Sequence, residues 1–413
     1  HQEKEVSLRP SRRRIVVLLG ALAALGPFSI DTYLPAFPEI ASTFGVPSAR
    51  VGDTLAAYFL GISVGQLAYG PWMARAGRRK PLLWGLGLYV FASIACATAS
   101  GFQALVALRL LQALGGCAGM VASRALVRDL FPSEAAQVFS SLMLVMGVAP
   151  LVAPTVGGWL GALAGWRSIF LFLAVLGAVL VVVLWRNLPE TIPAHPSGVS
   201  RPGAILRGWW GIVRHPEFVV WGIGGSIASG GLYAYLAGSP GAYMQGLGLE
   251  GSTYAWVFAV NAGGMILASQ FNRPLLRRFS GERIVLSAFS LQILSIVVLI
   301  ACASMGIRWT AYPLAWLFLF AHGLSNPNVA ALVLRPFGHD ASNASALMGS
   351  FQMASGALLA GLVGILPLPP LLAMGTGMVA ATGCALLVIA SGWCRRGGCA
   401  PEPVELPVDL PVD

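Results

Sequence analysis

The chain has 413 residues, 56% of them apolar and 10% charged, with 26 Lys and Arg against 16 Asp and Glu. Soluble domains carry roughly 25% charged residues, so a soluble enzyme or binding module is excluded, and a mean hydropathy of +0.75 calls for a lipid bilayer as partner. The net charge of +10 is a surplus that nucleic acid could attract, but the cations lie between apolar runs, where membrane orientation explains them and nucleic acid is not needed.

A membrane-crossing helix needs about 20 apolar residues, each rising 1.5 Å. Runs of that length fall at about 15–36, 51–71, 82–100, 102–123, 135–160, 166–186, 217–238, 252–272, 284–305, 310–330, 342–365 and 369–393. The expected fold is therefore an all-α membrane protein with twelve transmembrane helices in two six-helix bundles. Residues 1–14 form a basic N-terminal segment, 15–186 the first bundle, and 217–393 the second. Between them, 187–216 gathers Pro189, Pro193, Pro196 and Pro202 and is expected to be a cytoplasmic linker. The acidic, proline-rich tail 394–413 is expected to be disordered. With both termini inside, 22 of the 26 Lys and Arg lie in inside segments and three (Arg50, Arg167, Arg308) outside, a bias that sets the orientation. A shift of 203 residues lays Pro71 on Pro274, Arg75 on Arg278 and Lys80 on Arg283, as parallel six-helix repeats would leave.

The segment Tyr69–Pro81, YGPWMARAGRRKP, is the most charged loop within the first half. Gly70 and Pro71 are expected to close the second span, with Arg75, Arg78, Arg79 and Lys80 in the turn and Gly70 and Gly77 letting the backbone reverse. The six cysteines show no C-x-x-C pair and no zinc-like His spacing, so no disulfide, metal or cofactor is expected. No G-x-S-x-G, H-E-x-x-H or P-loop is present, and no enzyme is expected.

Ionisable groups inside a membrane are costly and usually functional. Asp31 is the one carboxylate clearly inside an apolar run, in GPFSIDTYLPAFP. Gly26 and Pro27 can bend the helix just before it, and about seven residues to the outer end put it roughly 10 Å deep. Arg109, in ALVALRLLQALGG, falls at a similar depth in the fourth span. Facing each other or an aqueous cavity, the two charges become tolerable; a static ion pair tying two helices together is the competing expectation. Gln112, one turn from Arg109, shares its helix face. Span 5 reads GVAPLVAPTVGGW, where Gly147, Pro150, Pro154, Gly157 and Gly158 predict a bent, closely packed helix. In the second half, Asn261 and His322 fall near mid-membrane, and Tyr33, Tyr58, Tyr233 and Tyr235 offer amphipathic surface to an organic ligand.

Several of these stretches resemble one family. The loop resembles the major facilitator signature G-x-x-x-D-R-x-G-R-R/K at Gly70, Arg75, Gly77, Arg78 and Arg79, with Ala74 where the family has Asp. Arg109-x-x-Gln112 with Gly115, Gly116 and Gly119 is similar to its fourth-helix motif. Span 5 matches the antiporter pattern G-x-x-x-P-x-x-x-P-x-x-G-G. With IDTYLPAFPEI and GWRSIF, the chain resembles the bicyclomycin/chloramphenicol-resistance (Bcr/CflA) branch, densely over 26–190. The resemblance implies a bacterial inner-membrane protein, expected as a monomer, that exports small antibiotics against protons by alternating access. It implies Asp31 as the proton-coupling carboxylate and Arg109 as the partner tuning it. Asp31, Tyr33, Tyr58, Arg109, Gln112, Asn261 and His322 become substrate-site candidates. In the family the loop acid helps to lock one state, so Ala74 implies a different latch. An exporter of a normal metabolite such as a sugar, nucleoside or amino acid is the alternative.

Overall fold

The computed structural model describes residues 12–131, 134–188 and 202–395. The N-terminal segment up to residue 11, the linker stretch 189–201 and the tail from 396 lie outside the described residues. Everything regular among the described residues is helical. The first half comprises α1 (Arg12–Asp31), α2 (Phe37–Phe44), α3 (Ser48–Ala76), α4 (Arg79–Ala97), α5 (Phe102–Leu130), α6 (Ala135–Ala164) and α7 (Trp166–Asn187). A short helix α8 (Pro202–Arg214) occupies part of the expected linker. The second half comprises α9 (Gly224–Pro240), extended by π-turns Phe218–Ile223 and Gly241–Gln245, then α10 (Gly251–Leu276), α11 (Gly281–Ser304), α12 (Ala311–Leu334), α13 (Ala341–Ile365) and α14 (Pro370–Arg395). With α1 and α2 forming one interrupted crossing, these make twelve spans in two six-helix bundles.

The spans close their backbone hydrogen bonds internally, as a bilayer demands, and turn apolar flanks outward. Trp84, Phe91, Trp159, Val175, Leu358 and Leu387 are all more than half exposed there. Among the described residues nine helices are long and apolar enough to cross a membrane by composition alone. The spans missing from that set, α3, α9 and α10, carry the small and polar residues used between the bundles. Two seams join the halves: α3 runs along α13, and α6 packs on α10. In the first seam Ser63 Oγ donates to the Ser350 carbonyl and Ser350 Oγ to the Ser63 carbonyl, each at 2.9 Å.

Two local expectations are corrected. The helix does not end at Gly70 and Pro71 but runs on to Ala76, because Pro71 removes a single backbone bond, which a long helix tolerates. The reversal falls at Gly77 alone, whose φ of +79° suits a residue without Cβ. The first span likewise does not stop near residue 36. It continues to Phe44, with its break at Thr32–Ala36 rather than at Gly26 and Pro27. Glu39 of α2 holds the piece beyond the break, accepting the Trp166 N–H at 3.0 Å where α7 begins, the end of a helix that favours an anion.

Candidate functional site

The break in the first span organises the site. A helix ending inside a membrane leaves its last four carbonyls without partners. At the end of α1, the Phe28 carbonyl is met by the Thr32 N–H at 3.1 Å and by Thr32 Oγ1 at 2.5 Å. The Ser29 carbonyl is met by Arg109, whose Nη2 donates to it at 3.0 Å. A cation at a helix C-terminus also answers the negative end of the helix dipole.

Arg109 is fully buried; it meets no acid among the described residues, and while Nη1 and Nη2 have partners its Nε has none. Its guanidinium carbon lies 4.3 Å from the centre of the Tyr33 ring and 4.2 Å from that of Tyr58, distances at which ring faces attract cations. Nη1 donates to Gln112 Oε1 at 2.5 Å. Gln112 is held in turn by its amide donating to Ser93 Oγ at 2.8 Å. Tyr33 is fixed at its far end by a hydroxyl pair with Thr54 at 2.8 Å, and Ser29 Oγ pairs with the Tyr89 hydroxyl at 2.6 Å. Four of the predicted residues, Tyr33, Tyr58, Arg109 and Gln112, are thus brought together as one cluster inside the first half.

Asp31 is brought elsewhere. It is 4% exposed, and no ion pair or hydrogen bond of its side chain occurs among the described residues. Of the two arrangements expected, the charges facing each other or a cavity, Asp31 takes the second and is not paired with Arg109. Arg109 is committed to the backbone two residues earlier and to two aromatic faces. The Asp31 carboxylate instead opens on a cavity of about 190 Å³ between the halves. Met146, Gly147 and Pro150 of α6 wall one side, and Tyr235 of α9, Phe258 and Met265 of α10 and Leu319 of α12 wall the other. Tyr235 and Phe258 are stacked with centroids 6.0 Å apart. Asn261 lies behind this wall, its amide donating to the Tyr235 hydroxyl at 2.8 Å. His322 is buried one turn from Leu319, with Nδ1 unpartnered among the described residues.

Span 5 explains how the break and the cavity coexist. A Cβ on Gly157 would fall 1.5 Å from the Thr32 carbonyl oxygen, so only glycine lets α6 lie on the broken backbone next to Asp31. Gly158 faces across to Gly251 and Pro35 with ordinary room. At the end bearing the basic loops, Arg78 Nε pairs with Asp129 Oδ2 at 2.9 Å and Arg79 donates to the Trp185 carbonyl at 2.6 Å, both within the first half. Arg128 donates to Ser342 Oγ and crosses to the second half. Sequence reasoning missed Ser29, Ser93, Thr54 and the apolar cavity wall; the signal for the first three was a small hydroxyl inside an apolar run.

Residues 17–360 match the description Major Facilitator Superfamily. The chain belongs to that superfamily. The uncharacterized MFS-type transporter YdgK of Bacillus subtilis is 34% identical over 364 residues, 86% of this chain and 89% of that one. The bicyclomycin resistance protein homolog of Haemophilus influenzae is 29% identical over 371 residues, 88% of this chain and 93% of that one. The chloramphenicol resistance protein of Pseudomonas aeruginosa is 27% identical over 370 residues, 88% of this chain and 85% of that one. The resemblance to the Bcr/CflA-type branch holds. Among solved structures, a bacterial homolog of the human lysosomal transporter Spinster, inward-facing and occupied, shares the fold with a TM-score of 0.72 at 14% identity, covering 94% of this chain and 96% of that one. This superfamily member is a multi-pass membrane transporter of the major facilitator fold.

Proposed function

We propose that this transporter exports small organic drugs across the bacterial inner membrane in exchange for protons, with both termini in the cytoplasm. The observation that carries the reading is the unpaired Asp31 carboxylate in an otherwise apolar, aromatic and Met-lined cavity between the two halves. A carboxylate holds its proton differently in dry and in wet or cation-bearing surroundings. Rocking the halves changes what Asp31 meets, because one wall of its cavity belongs to each half. Drug arriving from the cytoplasm would displace the proton, and reprotonation from outside would return the carrier. The bicyclomycin- and chloramphenicol-resistance relatives support drugs over other solutes, and the basic loops support the orientation.

Arg109 acts in this scheme as a positioning residue: it caps α1 and fixes the carboxylate two residues on. The test is drug-driven proton release from everted vesicles, with a susceptibility panel supplying the drugs. Asp31→Asn keeps size and polarity but cannot exchange the proton, so coupled efflux is expected to vanish at normal expression. Full pH-gradient-driven efflux by that variant would sink the proposal.

A further inference from the structure

Helix α8 takes no part in the cavity, yet its surface is ordered. Ile205, Trp209, Ile212 and Val213, at i, i+4, i+7 and i+8, form one stripe. Ile212 is buried with Phe218, Val220 and Trp221, and Trp209 and Val213 pack partly against the same cluster. This docks α8 on the second bundle at the end bearing the basic loops, where His215, just past its last residue, meets the ring of Phe337 at 5.0 Å.

Going round the helix at about 100° per residue, the surface passes from that stripe to Leu206 and Trp210, 61% and 57% exposed. Next come Arg207 and Arg214, both exposed, and last Gly208 and Gly211, also exposed. The Arg214 guanidinium lies 4.4 Å from the centre of the Trp210 ring. Arg207 Nε donates only to the Gly203 carbonyl at 3.2 Å. The helix has no acidic residue, and neither arginine pairs with a carboxylate among the described residues.

We infer that α8 is a membrane-surface helix whose exposed flank binds anionic phospholipid. The order apolar, cationic, small is the order in depth of a bilayer surface: acyl boundary, headgroup, water. Leu206 and Trp210 enter the boundary, with Trp at the level it prefers. Arg207 and Arg214 then reach phosphate, and two cations without a counter-charge select an anionic headgroup over a zwitterionic one. The surface tethers the chain between the bundles to the lipid.

The experiment uses the full chain in nanodiscs of phosphatidylcholine alone or mixed with phosphatidylglycerol, following hydrogen exchange of the 202–214 amides and lipid retained in native mass spectrometry. Two arginines at an anionic surface are worth up to about 30-fold, so exchange is expected to slow by about tenfold or more in the mixed lipid. Arg207→Gln with Arg214→Gln leaves the packed stripe untouched. It is expected to abolish the phosphatidylglycerol-dependent slowing and the retained anionic lipid, while exchange elsewhere is unchanged. Equal exchange in both lipids would overturn the inference, leaving either a helix merely docked on the bundle or a face for a soluble partner. Lipid-dependent slowing that survives the double substitution would overturn it as well.

Discussion

Gly157 and Gly158 are adjacent in one helix, and the structure gives them opposite tolerances. A methyl on Gly157 would lie 1.5 Å from the Thr32 oxygen and 2.5 Å from its carbonyl carbon. Carbon–oxygen approaches in proteins stop at about 3.3 Å, so α6 and the broken part of the first span would have to part by nearly 2 Å. The obstructing atoms are backbone and cannot swing away. A methyl on Gly158 would meet nothing nearer than 3.8 Å, an ordinary contact. Each Gly→Ala change gains about 1 kcal/mol at most from helix propensity, whereas overpacking costs typically 1–3 kcal/mol and occasionally more. Gly158→Ala is therefore expected to be neutral or slightly stabilising, and Gly157→Ala to lose stability and drug efflux together. Thermal unfolding in detergent and efflux from resistant cells measure both. If Gly157→Ala expresses too poorly to assay, the rank of expression itself decides, since Ala at 158 must express normally. Equal stability and transport for the two variants would refute the close approach.

Two further outcomes test the contacts between the halves. Arg128→Ala removes the Arg128–Ser342 bond at the basic end, where Ala74 replaces the family's acid; crosslinking between α5 and α13 at that end should drop, and an unchanged yield would show that the bond is idle. Ser63→Ala with Ser350→Ala removes both reciprocal bonds of the α3–α13 seam. At about 0.6 kcal/mol per hydrogen bond between membrane helices, the loss should reach about 1 kcal/mol, read as a lower unfolding temperature.

The apolar runs of the chain mark the twelve spans, because every crossing must bury its backbone polar groups in itself, although α3, α9 and α10 fall short of a crossing by composition alone. They do not mark the break in the first span. Pro27 looked like the place, yet one missing N–H is cheap in a helix, while the real interruption depends on Arg109 and Gly157, some 80 and 130 residues along the chain. The partner of Arg109 was misjudged for a similar reason. Charges announce themselves in a sequence, but a carbonyl freed by a helix end and the faces of Tyr33 and Tyr58 do not. Helix α8 is legible in principle, since Ile205, Trp209 and Ile212 keep helical spacing, but the surrounding prolines point first to a linker.

The separation of Asp31 from Arg109 changes what must move for a proton to be exchanged. Arg109 and its partners Tyr33, Tyr58, Gln112 and Ser29 all belong to the first half, so rocking one half on the other leaves its surroundings intact. The cavity at Asp31 is shared, and its second wall leaves when the halves part. On the proposed function, access of water and drug, rather than withdrawal of a counter-ion, is then the switch. Arg109→Gln distinguishes the two, because glutamine removes the charge but keeps an N–H that can reach toward the Ser29 carbonyl. If Arg109 were the counter-ion of Asp31, losing it would move the pH midpoint of drug-linked proton release by about 1–3 units. If Arg109 caps α1, the variant should lose stability, since a poorly met buried carbonyl costs about 1–3 kcal/mol. Its pH midpoint should then stay within about one unit of the parent's. A larger displacement in a variant of parental stability would restore the ion pair and remove the cap from the mechanism.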